Sequence, residues 1–229
     1  MGRNISETHL KAYKEGCFKQ LFSTIKEDPE LSFEVRLDNE VMVYYHKDKI
    51  LTTSFKSDKN PAVKILDSKY YALTTVRKAP SVDMQDKKNW HVVALWRKYV
   101  SEAKSLVYFY KKGAEFSVQH NIVLGNLSYD NRFLVVDMEW AFAQSDIDIK
   151  DRIPRTRIDL VLVDTIPNEQ GLNDIYLAEL KVGTVATEGT SGTIDHVEKT
   201  FKLINTEKAC QDFKEDVTNI INVKSELGI

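Results

Sequence analysis

Two short apolar segments, TRIDLVLVDT (156–165) and DIYLAELKVG (174–183), constrain this chain more than any other feature. Each is rich in branched apolar residues and short enough to be a strand. The link between them, 166–173, is polar and carries Pro167 and Gly171, which suits a turn. Strands joined by so short a link pair antiparallel, so the start of the first lies beside the end of the second. Side chains alternate across a strand. Arg157, Asp159, Val161 and Val163 therefore share one face, and Ile175, Leu177, Glu179 and Lys181 share one face of the partner. The spacing predicts Asp159 opposite Glu179 and Lys181, at one rim of a sheet.

Two carboxylates brought out of water at close range are costly unless something compensates both. A divalent cation does so. Mg²⁺ takes carboxylate and carbonyl oxygens and keeps several waters. The expected ligands are Asp159, Glu179 and the backbone carbonyl of Leu180. Lys181 would then orient or deprotonate the attacking water, or steady charge developing on a phosphate. The simpler alternative is an ordinary ion pair of Lys181 with either acid.

The surroundings place these strands in a larger pattern. Residues 7–27 read as one helix ending at Asp28-Pro29, with Phe18, Leu21, Phe22 and Ile25 on one face. Residues 32–37, 40–45 and 49–55 alternate as strands of an antiparallel meander, and 70–76 is a candidate fourth strand. A helix is expected over 89–111, capped by Asn89, and a second over 114–124. Residues 132–142 form a further apolar strand carrying Asp137 and Glu139 on one face. Acids in such a run need a reason. They either extend the metal site or pair with Arg155 or Arg157. Beyond a Gly/Thr/Ser-rich loop, a helix from Thr193 is expected, with Ile194, Val197, Phe201 and Ile204 on one face. A last helix does the same with Ala209, Phe213, Val217 and Ile220.

Charge separates the chain. Residues 1–112 hold 21 Lys/Arg and 14 Asp/Glu, a net of +7; residues 113–229 hold 11 and 20, a net of −9. Such asymmetry suits a polyanionic partner on the basic side. The two cysteines are far apart and the five histidines form no metal-binding spacing, which argues against zinc. With no apolar run near ~20 residues and no secretory signal at the N-terminus, the chain reads as cytoplasmic, without a membrane partner.

The order helix, strand, RIDLVLVD, turn, YLAELKVG, helix resembles the restriction-endonuclease-like superfamily with its PD-(D/E)XK signature, over roughly residues 113–205. The resemblance implies a central mixed sheet flanked by helices, Mg²⁺ dependence (Mn²⁺ able to substitute) and phosphodiester hydrolysis. By position, Asp159 matches the signature aspartate, Glu179 the second acid and Lys181 the lysine. Ile158 stands where the signature proline would be. Members often carry a glutamate on the helix before the sheet, and Glu115 fits that place, with Gln119 one turn further on. The helix after the lysine often lines the cleft, where His196 and Lys199 could touch a phosphate; a solvated helix face is the other reading.

The expectation is thus an α+β or mixed α/β chain. Residues 1–88 would be an N-terminal helix and meander serving substrate binding or dimerisation. Residues 89–229 would be a nuclease-like domain acting on nucleic acid, DNA ahead of RNA. A homodimer, endo- or exonuclease action, and an inactive scaffold that only binds nucleic acid or protein all remain open.

Overall fold

The computed structural model describes residues 2–55, 60–65, 81–83, 93–110, 114–127, 130–142, 157–181 and 193–229. It is an α+β chain with two antiparallel sheets and, among the described residues, six helices. Two compact units result: Met1–His120 together with Asn219–Ile229, and Asn121–Thr218. The predicted boundary at 88/89, the Asn89 cap and the candidate strand 70–76 lie outside the described residues. Among the described residues no helix is long and apolar enough to cross a membrane.

The first unit opens with two helices, α1 (Glu7–Lys14) and α2 (Lys19–Glu27), where the apolar spacing predicts one. The break has a local cause. The Gly16 amide donates to the carbonyls of Lys11 and Ala12, and Phe18 donates to Ala12 as well. This closure brings the Gly16 Cα so near the preceding turn that a Cβ there would stand 2.8 Å from the Ala12 Cα. Ser6 caps α1 by accepting from the His9 amide at 3.2 Å.

Behind these helices lies a five-stranded sheet in sequential order: β1 (Ser32–Val35), β2 (Glu40–Tyr45), β3 (Asp48–Phe55), β4 (Pro61–Ile65) and β5 (Ser81–Asp83). The three-stranded meander expected here is therefore extended by two strands. Their sequence is too short and irregular to show the alternation. Both predicted hairpins use two consecutive left-handed residues, Asp38-Asn39 and His46-Lys47, the backbone that matches strand twist. Tyr13, Phe18, Phe22 and Phe33 stack edge-to-face and tilted against one another, closing the core under α1 and α2. Helix α3 (Val93–Tyr110) follows, then α4 (Ala114–Gly125), whose residues to His120 belong to this unit.

The second unit is built on β6 (Phe133–Ala141), β7 (Arg157–Asp164) and β8 (Ile175–Ala178), paired in that order. All described pairs are antiparallel, so the mixed sheet expected from the resemblance is not what these strands form. After β8 come two helices, α5 (Thr193–Asn205) and α6 (Glu207–Leu227), the latter ending in the first unit. A parallel pair needs a crossover connection, and among the described residues β6, β7 and β8 pair only antiparallel. Trp140 and Phe213 meet edge-to-face at 4.8 Å, and Met138, Leu160 and Leu203 are fully buried.

Helix α5 forms where the spacing predicts it. Ile194, Val197, Phe201 and Ile204 do lie on one face, but that face is exposed, and Leu203 is the buried residue. Positions 196, 199 and 203 share the opposite face. His196 contacts Glu179, so the helix turns that side toward the strand end.

Candidate active site

The site begins with the β7–β8 hairpin. Its turn is held from inside: Asn168 Oδ1 accepts from the amides of Gln170 at 3.1 Å and Leu172 at 3.0 Å. Gly171 takes the left-handed backbone (φ 74°) that the turn requires. The Asn173 side chain donates to the Asp164 carbonyl at 2.8 Å. This turn sets the register, in which Leu160 pairs with Ala178 and Val161 with Leu177. Continued one residue, the same register puts Asp159 opposite Glu179.

The residues that matter are thus brought together as the spacing predicts. Asp159 is buried, and its Oδ2 accepts from the Leu180 amide at 2.9 Å. The regular ladder ends at Ala178, so Glu179, Leu180 and Lys181 sit just beyond it, with Leu180 tied to β7 by a side chain. Lys181 Nζ donates to Glu179 Oε1 at 2.6 Å. The other oxygen, Oε2, lies 3.3 Å from His196 Nδ1. That approach is close but is not aligned as a hydrogen bond.

On β6 the register shifts between Val135 and Asp137, after which Met138 pairs with Leu160 and Trp140 with Ile158. Glu139 therefore stands opposite Asp159, and Asp137 pairs with Val161. Glu139 has a left-handed backbone (φ 57°) inside the strand, a conformation non-glycine residues rarely hold. Its carboxylate accepts from Arg157 at 3.1 Å. Of the two readings for Glu139, the ion pair with Arg157 is the one present. Asp137 is fully buried.

Lys199 donates to Asp195 at 2.6 Å within α5, a local helix pair rather than a contact with Glu179. Glu115 and Gln119 belong to the first unit. Glu115 lies 3.9 Å from Lys47, and Gln119 is fully buried.

A cavity of about 210 Å³ adjoins the strand end, lined by Glu179, His196, Thr200 and the apolar side chains of Ile158, Leu177 and Phe201 among others. Thr200 is the member that the sequence reading missed. Its position four residues after His196, on the same helix side, was the available signal.

Among the described residues no three His, Cys, Asp or Glu side chains are grouped closely enough to hold a metal ion. The acids that the β7–β8 register brings opposite one another are Asp159 and Glu179. Chemically, the arrangement offers two acids for a hard cation, a lysine beside them and an imidazole on the far side of Glu179. No protein-family model, curated protein or solved structure matches this chain.

Proposed function

We propose that the second unit is the core of a Mg²⁺-dependent nuclease of the PD-(D/E)XK kind, hydrolysing phosphodiester bonds in nucleic acid, DNA ahead of RNA. The observation that carries the reading is the β7–β8 register. It puts the Asp159 carboxylate next to the backbone that presents Glu179 and Lys181. Asp159 and Glu179 would hold the cation, with the Leu180 carbonyl as the third protein oxygen. When bound, the cation would make water a stronger nucleophile at neutral pH and offset charge on the phosphate. Lys181, 2.6 Å from Glu179, would favour the negative charge that builds on the phosphoryl oxygens. Arg157 keeps Glu139 occupied, so that acid does not compete for the same cation.

The charge split supports a polyanionic substrate. The first unit carries 22 Lys/Arg and 16 Asp/Glu, a net of +6; the second carries 10 and 18, a net of −8. Basic residues contacting phosphates supply most non-specific affinity and make binding fall with salt.

One observation favours a second reading, a nuclease-like scaffold that binds without cutting. Both oxygens of Glu179 already face nitrogen groups, the Lys181 ammonium and the His196 ring. A superfold carries many functions. Cleavage of plasmid and single-stranded DNA with Mg²⁺, with Mn²⁺ and with EDTA separates the two. Metal-dependent cutting lost in Asp159→Ala and Lys181→Ala establishes the nuclease. Absence of cutting together with a Mg²⁺-dependent rise in melting temperature favours the scaffold.

A further inference from the structure

The hairpin between β2 and β3 brings together two histidines that the acidic site does not use. Tyr45 pairs with Asp48, so His46 and Lys47 form the turn, at φ 48° and 64°. Glycine and asparagine are the residues suited to such a turn. A histidine held there is an outlier of the sort that accumulates where a side chain has a job. The His46 ring packs on Tyr45 at 4.3 Å between ring centres, and lies 5.1 Å from the ring of His120 on α4.

His120 is 2% exposed. Neither of its ring nitrogens meets a partner at hydrogen-bonding geometry, although the Glu30 backbone is near enough to favour the charged ring slightly. Burial dominates and, with His46 beside it, pushes the ring down to about 4. At neutral pH His120 therefore has one N–H and one lone pair, both buried. Buried polar atoms without partners are rare and call for an explanation.

We infer that His46 and His120 form a two-imidazole site for a borderline transition-metal ion, with Zn²⁺ as the reference. Imidazole nitrogen suits Zn²⁺, Ni²⁺ and Cu²⁺, whereas Mg²⁺ takes oxygen. Two imidazoles on one tetrahedral ion, each bonded at about 2.0–2.1 Å, hold their ring centres roughly 5 Å apart. The observed 5.1 Å, with the rings tilted by 40° rather than stacked, agrees. The lysines close by are matched by acids: Lys47 lies 3.9 Å from Glu115, and Lys104 lies 2.8 Å from Asp28 and 2.5 Å from Glu30. No third His, Cys, Asp or Glu completes a metal group among the described residues. Both His120 nitrogens are closed to solvent, so the ion would enter, and water complete its coordination, only from the half-buried His46 side.

The test uses the full chain carrying Asp159→Ala, which removes one carboxylate of the acidic site. Zn²⁺ alone is titrated calorimetrically, with and without excess Mg²⁺. One equivalent is expected, undisturbed by Mg²⁺, with affinity at least tenfold lower after His46→Ala. His120 is in the interior, so its role is read without substitution: Zn²⁺ should shift the imidazole nitrogen resonances of His46 and His120 together. The inference fails if the parent takes up no Zn²⁺, if Mg²⁺ displaces it, if His46→Ala binds as tightly, or if the shifts fall on His9, His91 or His196. None of these outcomes bears on cleavage at the acidic site, so the two proposals stand or fall separately.

Discussion

The Asp159 carboxylate and the Leu180 amide are joined by a 2.9 Å hydrogen bond that replaces the next rung of the β7–β8 ladder. One oxygen of Asp159 is thereby committed to the backbone, which ties the carboxylate's orientation to the chain leaving β8. The bond also anchors the three residues that leave β8, and so the positions of Glu179 and Lys181.

This bond separates the structural and chemical roles of Asp159. Asp159→Asn retains an acceptor for the Leu180 amide but removes the charge that would attract a cation. Asp159→Ala removes both. Leu180 is only half-buried, so the lost bond should cost about 1 kcal/mol, at the low end for an unsatisfied amide. Urea unfolding should find Asp159→Asn close to the parent and Asp159→Ala lower. Both should lose metal-dependent cleavage. Retained cleavage in Asp159→Asn would remove Asp159 from the cation site.

Lys181 donates to Glu179 from a partly exposed position. Methionine keeps the apolar stem of the lysine and its packing while removing the charge. Lys181→Met should unfold at nearly the same urea concentration as the parent, while cleavage under saturating Mg²⁺ falls by about 10²–10³-fold, the range for losing one group that stabilises transition-state charge. Comparable losses in stability and rate would make the lysine an ordinary structural partner.

The helix break at Gly16 is a test of packing in the first unit. A Cβ there meets the Ala12 Cα at 2.8 Å and its carbonyl oxygen at 3.3 Å, both backbone atoms that cannot swing aside. Gly16→Ala should therefore cost about 1–3 kcal/mol, the range for forcing extra volume into a packed place, measured by thermal or urea unfolding. A neutral or stabilising result would mean that α1 and α2 can join into the single helix that their apolar spacing suggests.

The acidic site was legible because strand alternation and a short turn are local rules. Given two apolar runs and the 166–173 link, the facing of Asp159 and Glu179 follows with little freedom. The rest depended on contacts far apart in sequence. Strands β4 and β5 are too short for alternation to show; β4 exists because β3 offers it an edge, and β5 because β4 does. Periodicity groups the apolar residues of α5 on one face but does not say which face packs on the strands. The helix presents His196 to Glu179 and leaves Phe201 64% exposed. The pairing of Glu139 with Arg157 rests on the register shift near Val135, which no spacing rule anticipates.

The last prediction concerns pH and the interior of the first unit. His9 is fully buried between α1 and the sheet. Asn39 Nδ2 donates to Ser6 Oγ and to the Phe55 carbonyl, so its Oδ1 is an acceptor and His9 Nδ1 carries the proton, at 3.1 Å. His9 Nε2 then accepts from the Thr53 hydroxyl at 3.2 Å, and Tyr13 donates to Thr53 in turn. A second proton on His9 would set a donor against that hydroxyl and put charge in the core. Burial accordingly pushes the ring down to about 4, against the smaller opposing effect of Asn39. The unfolded chain, near 6.5, takes up this proton first. Between those two values it binds more protons than the folded state, so stability rises with pH there and falls as pH drops from about 6.5 toward 4. His120, down to about 4 as well, acts in the same direction. Each can contribute up to about 1.4 kcal/mol per pH unit. Urea unfolding between pH 5 and 7 should show this slope before carboxylates begin to titrate. His9→Gln, which keeps a hydrogen-bonding side chain without a titrating ring, should reduce the slope by about half. A slope unchanged by His9→Gln would mean that the folded state protonates His9 as readily as the unfolded one does.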